Sequence, residues 1–265
     1  MTASPSSLYG ESLFTSSRAK NSKMLFYQEH LERLAFGVED YYLGRKLQSA
    51  ELALIKEKVD GFLSTLGNEE LRARFEIRAK SRDSLLPEAF SFEDLIVTAS
   101  CRPLQHSISP VRLLCAPSPF SKAYPPIKMG SYMPLLRLKL KARRAGFDDA
   151  LLTDENGAII EGTTGNVFFY KCRGAGKLKF FAPRQSHLEG IIKQKIQESR
   201  PVVMADISLE NSQDFDGAFL TNSVDIIRPV QSIDQLKFKK IDQQSLQNML
   251  KDLLERGYYE KENQC

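Results

Sequence analysis

Between Asp149 and Pro183 the chain reads DALLTD, AIIEG, NVFFYK and KLKFFAP in close succession. Each run is short and largely apolar, the last three carry paired β-branched or aromatic residues, and turn-forming residues lie between them. Asn156-Gly157 and the stretch CRGAGK supply two of those turns. Such a series reads as several short strands in close succession.

The flanking segments fill in the rest. Leu31, Leu34, Ala35, Val38 and Tyr42 recur at helical spacing, and AELALIKEKVDGFLSTLG repeats the pattern up to Gly67, the expected C-cap. RARFEIRA and DLIVTAS follow as strands, the first alternating apolar and charged residues. Residues 1–100 therefore read as a small α+β domain. CRPLQHSISP is rich in proline and serine, and a linker is expected over residues 101–108. A larger second domain, residues 109–265, begins with the strand VRLLCA and a loop, SPFSKAYPPIKMGSY. A helix then runs through PLLRLKLKARRAG, with Pro134 in its first turn and Gly146 as its stop. EGIIKQKIQES and SLQNMLKDLLERG are further helices, and GAFLTNS and IIRPV further strands.

A net charge of +4 with no dense basic run gives no expectation of nucleic-acid binding. No apolar stretch is long enough to span a membrane. Cys101, Cys115, Cys172 and Cys265 form no C-x-x-C pair. His30, His106 and His187 are scattered and do not read as a metal set. The expected setting is a reducing cytoplasm.

Glu161 is the informative oddity. It follows Ile159 and Ile160 at the rim of a buried strand. Gly162, Thr163, Thr164 and Gly165 then allow close backbone approach before Asn166 starts the next strand. EGTTGNVFF resembles the signature of the fold type IV pyridoxal-phosphate (PLP) enzymes. That family includes branched-chain aminotransferases, D-amino-acid aminotransferases and 4-amino-4-deoxychorismate lyases. Four further stretches match in order over residues 9–230. YGESLFTSSR with EHLERL is similar to the family's N-terminal run, and Lys128 stands 33 residues before Glu161, where the family places its Schiff-base lysine. Gly190-Ile191-Ile192 opens a helix, and FLTNSVDIIRPV ends a strand. FTSSR and TNS lean toward the lyase branch.

The resemblance implies a two-domain fold of mixed α/β class: a small α+β domain, then a larger mixed, β-barrel-like domain with helices. It implies pyridoxal 5'-phosphate as cofactor and Lys128 as its attachment point and proton shuttle. Glu161 would face the pyridine nitrogen and keep it protonated. Arg33 and the main-chain amides of Ile191 and Ile192 would hold the phosphate, with a further bond from Asn222 or Ser223. Tyr132 would approach the ring hydroxyl or simply pack, and Asn166 would fix the turn. Family members often carry threonine where Ile192 stands.

This chain departs from the pattern in two places. Only eight residues precede Tyr9, without the family's D-R-G-type run, and the loop KSRDSLLPEA lacks the glycines of many relatives. The first expected activity is that of a lyase converting 4-amino-4-deoxychorismate to 4-aminobenzoate and pyruvate, a step of folate synthesis, with Arg112 or Arg228 meeting the substrate carboxylates. The alternatives are a branched-chain or D-amino-acid transaminase and a PLP-fold protein without turnover. The resemblance also implies a homodimer.

Overall fold

The computed structural model describes residues 9–80, 90–104, 109–120, 127–173, 178–185, 187–238 and 243–259. They fall into two compact units. The first takes the described residues of Met1–Gln105, Ile127–Tyr132 and those from Gly257 onward; the second takes those of His106–Pro126 and Met133–Arg256. His106 lies outside the described residues, as do the glycines of CRGAGK and the tip of KSRDSLLPEA.

The first unit is built on an antiparallel sheet of four strands, β1 (Leu13–Lys20), β2 (Lys23–Met24), β3 (Leu71–Ala79) and β4 (Leu95–Pro103), in the order β2-β1-β3-β4. In β3 the expected alternation holds: Ala73, Phe75, Ile77 and Ala79 are buried, and the charged residues between them are not. Helix α1 (Tyr27–Gly37), continued by a π-helical turn (Val38–Leu43), and helix α2 (Ser49–Leu63) cover the buried face. Leu31, Leu34, Val38, Ile55, Val59 and Leu63 pack there, each such side chain contributing roughly 1.5–3 kcal/mol. At the start of α2 the Glu51 carboxylate accepts the Gln48 amide at 2.7 Å. The helix ends at Leu63, earlier than the sequence suggests. Thr65 and Leu66 close the last turn with bonds to Phe62 and Leu63, and Gly67 instead accepts the Asn21 amide. Cys101 to Pro103 extend β4 rather than opening a linker.

The second unit carries a mixed sheet of nine strands: β5 (Val111–Pro117), β6 (Asp149–Thr153), β7 (Ile159–Gly162), β8 (Asn166–Cys172), β9 (Leu178–Pro183), β10 (Val202–Ala205), β11 (Gly217–Asn222), β12 (Ile226–Ile233) and β13 (Leu236–Lys237). The order is β10-β9-β8-β11-β12-β5-β6-β7, with β13 against β12. Neighbours are antiparallel except at β9/β10, β12/β5 and β5/β6. Helices α3 (Met133–Arg144), α4 (Ile191–Ser199) and α5 (Gln243–Tyr259) accompany the sheet. Gly146, with φ +84°, stops α3 as expected.

The register sorts the residues by face. Val167 lies opposite Leu220 and Phe169 opposite Ala218, and these join Leu113, Leu151, Val230 and Ile233 in one apolar core. On the other face Phe168 stacks on Phe219 with centroids 5.2 Å apart. Asn166 and Thr221, paired across the same two strands, end that second face with polar groups.

Candidate active site

Lys128 is placed by a local strand pairing. The Phe14 amide donates to the Lys128 carbonyl at 2.9 Å, and the Gly130 amide to Ser12 at 2.7 Å. Leu13 and Met129 form an antiparallel bridge. The segment Ile127–Tyr132 thus belongs to the first unit, although the sequence puts it among residues 109–265. Nζ of Lys128 lies 4.9 Å from the Phe14 ring centroid and 5.5 Å from that of Tyr132. The two rings meet edge to face at 5.9 Å. Arg74, from β3, stacks 3.6 Å over the Phe14 ring. The amine therefore has an aromatic flank, of which the sequence reading named only Tyr132.

Arg33 and His30 sit on α1. Arg33 is half-buried. His30 is 1% exposed, with Thr15 Oγ1 2.5 Å from its Nδ1, and its Nε2 has no hydrogen-bond partner among the described residues. Burial holds the imidazole neutral well below its usual range, and the charges of Arg33 and Lys128 push the same way. The first unit thus brings Lys128, Arg33 and His30 into one electrostatic neighbourhood.

The buried imidazole sets a pH dependence. The unfolded chain protonates His30 near pH 6.5, while the folded state stays neutral below that. Stability from this group is complete above about pH 6.5 and falls by about 1.4 kcal/mol for each pH unit beneath it, until the folded ring also titrates. Urea denaturation between pH 7.5 and 5 should show that slope, and His30→Gln should flatten it by about one proton.

The second unit gathers Glu161, Asn166 and the start of α4. Glu161, 8% exposed, is the last residue but one of β7. Asn166 Nδ2 donates to Glu161 Oε2 at 3.0 Å and to the Leu188 carbonyl at 2.9 Å. One amide therefore ties the acid to the segment that enters α4. The Gly162 amide donates to the Gly165 carbonyl at 2.8 Å, closing the turn that sets residues 161 and 166 side by side.

Helix α4 opens at Gly190 without a side-chain cap, and Ile191 and Ile192 are buried in its first turn. Its leading amides and dipole favour an anion. A Cβ on Gly190 would collide with Asn166 Oδ1, so any larger residue here must displace that side chain. Gly190→Ala is expected to push Asn166 off Glu161 and weaken affinity for the expected pyridoxal phosphate by about 10- to 100-fold. A fluorescence titration of the apo protein with PLP measures this.

Asn222 is committed elsewhere. Its Oδ1 accepts the Val224 and Asp225 amides at 2.9 and 2.8 Å, and its Nδ2 donates to Asp225 at 3.1 Å. Ser223, the other residue expected to make the side-chain contact, is buried beside it. Ile226 follows with φ +64°, a strained conformation for a β-branched residue, while its side chain is fully buried. Thr221, 1% exposed, has a hydroxyl without a partner among the described residues. Arg112 is bound to Asp148, and His187 lies 2.8 Å from Ser118 Oγ.

The sequence model of the family described as amino-transferase class IV matches residues 12–233. A protein of Rickettsia typhi described as "probable branched-chain-amino-acid aminotransferase" is 30% identical over 94% of this chain and 86% of its own length. Among solved structures, the PLP-bound form of "a hypothetical aminotransferase from Mycobacterium tuberculosis" superposes with a TM-score of 0.74 at 12% identity, covering 97% of this chain and 92% of that one. A Legionella pneumophila protein described as "putative 4-amino-4-deoxychorismate lyase" gives 0.72 at 22% identity, covering 91% of both chains. These two structural likenesses give the fold, that of the fold type IV enzymes.

Proposed function

This chain belongs to the class IV aminotransferase family, a family of PLP enzymes, and from that premise we propose that it is a transaminase for branched-chain amino acids. The observation that carries the substrate class is the kinship with the Rickettsia typhi protein across nearly the whole chain. The transaminase reading is therefore better supported than the lyase that the motifs FTSSR and TNS put first.

Each unit carries groups whose chemistry suits the cofactor. A primary amine, a carboxylate held by an amide, an uncapped helix N-terminus and an orphaned buried threonine hydroxyl are its complementary groups. When bound, pyridoxal phosphate supplies the electron sink for the carbon that carries the substrate amine. Lys128 would anchor it and then move the proton at that carbon. Glu161 would hold a proton on the pyridine nitrogen, its oxygen fixed by Asn166. Arg33 and the amides of Ile191 and Ile192 would bind the phosphate, with Ser223 adjoining.

One experiment separates the readings. Leucine, isoleucine or valine should bleach the visible absorption of the loaded enzyme and yield the matching keto acid. An added keto acid should restore the absorption, with ping-pong kinetics. Release of 4-aminobenzoate from 4-amino-4-deoxychorismate without any keto acid would overturn this in favour of the lyase, the reading that the Legionella likeness keeps open. Turnover of neither would return the protein without turnover. The homodimer stays part of the proposal, to be checked by sedimentation against the 30.0 kDa chain mass.

A further inference from the structure

We propose that Asp149 is a positioning residue for Glu161, acting through the Gly162–Gly165 turn. This rests on the PLP reading above, and it concerns an acid, Asp149, that was not among the expected site residues.

Asp149 opens β6 and is 2% exposed. Four donors converge on its carboxylate. Oδ1 accepts the Ala150 amide at 2.8 Å and the Thr163 hydroxyl. Oδ2 accepts Lys139 Nζ at 2.6 Å and lies 3.5 Å from the Thr164 hydroxyl. Thr163 is tied to β6 a second time, since its amide donates to the Ala150 carbonyl at 3.1 Å. Both threonines of GTTG are therefore gripped by one buried carboxylate, which α3 charge-balances through Lys139.

The other flank of the turn is fixed by packing. A Cβ on Gly165 would run into the Thr221 carbonyl of β11, so the backbone there lies directly against the strand. The turn is thus clamped between β11 and Asp149. Glu161 precedes it and Asn166 follows it, and the 3.0 Å bond between their side chains exists only if the turn keeps its shape. Asparagine at 149 could not replace the acid. Its amide nitrogen would present donors where an oxygen now accepts, and Lys139, with a side chain 19% exposed, would lose its counter-charge.

A purely structural Asp149 would change the melting temperature and nothing else in the molecules that remain folded. A positioning Asp149 moves the protonation of the cofactor's ring nitrogen. The test pairs Thr163→Val with Thr163→Ser, both of which retain the Asp149–Lys139 pair, and adds Asp149→Asn. Each protein is loaded with ¹⁵N-labelled pyridoxal phosphate. The pyridine ¹⁵N shift is followed against pH, together with kcat, KM and the thermal stability of the apo protein.

Thr163→Val should displace the ¹⁵N titration to lower pH and reduce kcat by about 10-fold with little change in KM. Thr163→Ser should restore both, and Asp149→Asn, where it folds, should exceed Thr163→Val. A Thr163→Val protein with the wild-type ¹⁵N titration and kcat overturns the inference, whatever its melting temperature. Failure of the wild type itself to bind the labelled cofactor would overturn the PLP reading instead.

Discussion

Lys128→Ala is expected to leave a folded protein that forms no covalent bond with pyridoxal phosphate and loses about 10⁴-fold in kcat. The two halves of that expectation have different sources. The fold tolerates the change because the strand pairing that positions residue 128 uses its backbone carbonyl, which accepts the Phe14 amide, and alanine keeps that carbonyl. Among what disappears from the apo protein is the contact of the amine with the rings of Phe14 and Tyr132, worth about 0.5–1 kcal/mol. The chemistry loses both an anchor and a base. A positioned base alone contributes about 10²- to 10⁴-fold, and 10⁴-fold is about 5.4 kcal/mol of barrier. The catalytic loss should therefore exceed the stability loss several times over. Borohydride reduction followed by peptide mass spectrometry reads the covalent bond directly. A reduced adduct on another lysine, or a variant that keeps activity within tenfold of the wild type, would remove Lys128 from the role.

What could be read in advance depended on whether a signal was local. Glu161, Asn166 and the glycines between them announced themselves because an acid, a tight turn and two apolar runs are contiguous. The alternation of β3 was equally plain, since one face meets the helices and the other does not. β1 was invisible by the same logic. Its LFTSSRAK sequence shows no alternation because Thr15 and Ser17 are buried yet satisfied, one at His30 and the other by donating to the Leu25 carbonyl. Side-chain partners from distant sequence made a polar segment fit for the middle of a sheet. The grouping of Lys128 with the first unit was hidden too, because it follows from a bridge between residues 13 and 129. Asp149 offered only a faint cue, an acid at the mouth of an otherwise apolar strand. Its four donors come from three places in the chain, and no spacing rule connects them.

Glu161→Gln is the second large effect, and it should separate binding from chemistry where Lys128→Ala removes both. Glutamine matches the acid in size, and its carbonyl can still accept from Asn166 Nδ2, which now bonds Glu161 at 3.0 Å. Folding and cofactor attachment should survive. The negative charge would be gone from a site that is 8% exposed, where a ring cation without its partner is costly, by about 3–5 kcal/mol. The pyridine nitrogen should then give up its proton, and kcat should fall by between about 10² and 10⁴, with KM much less affected. Glu161→Asp supplies the control: it restores the charge but withdraws it by one methylene, so it should recover part of kcat and part of the ring protonation. Recovery of the two together would tie the rate to that proton. If Glu161→Gln instead fails to retain the cofactor while its kcat per bound cofactor is unchanged, Glu161 is a binding group, and the electronic role belongs to another acid.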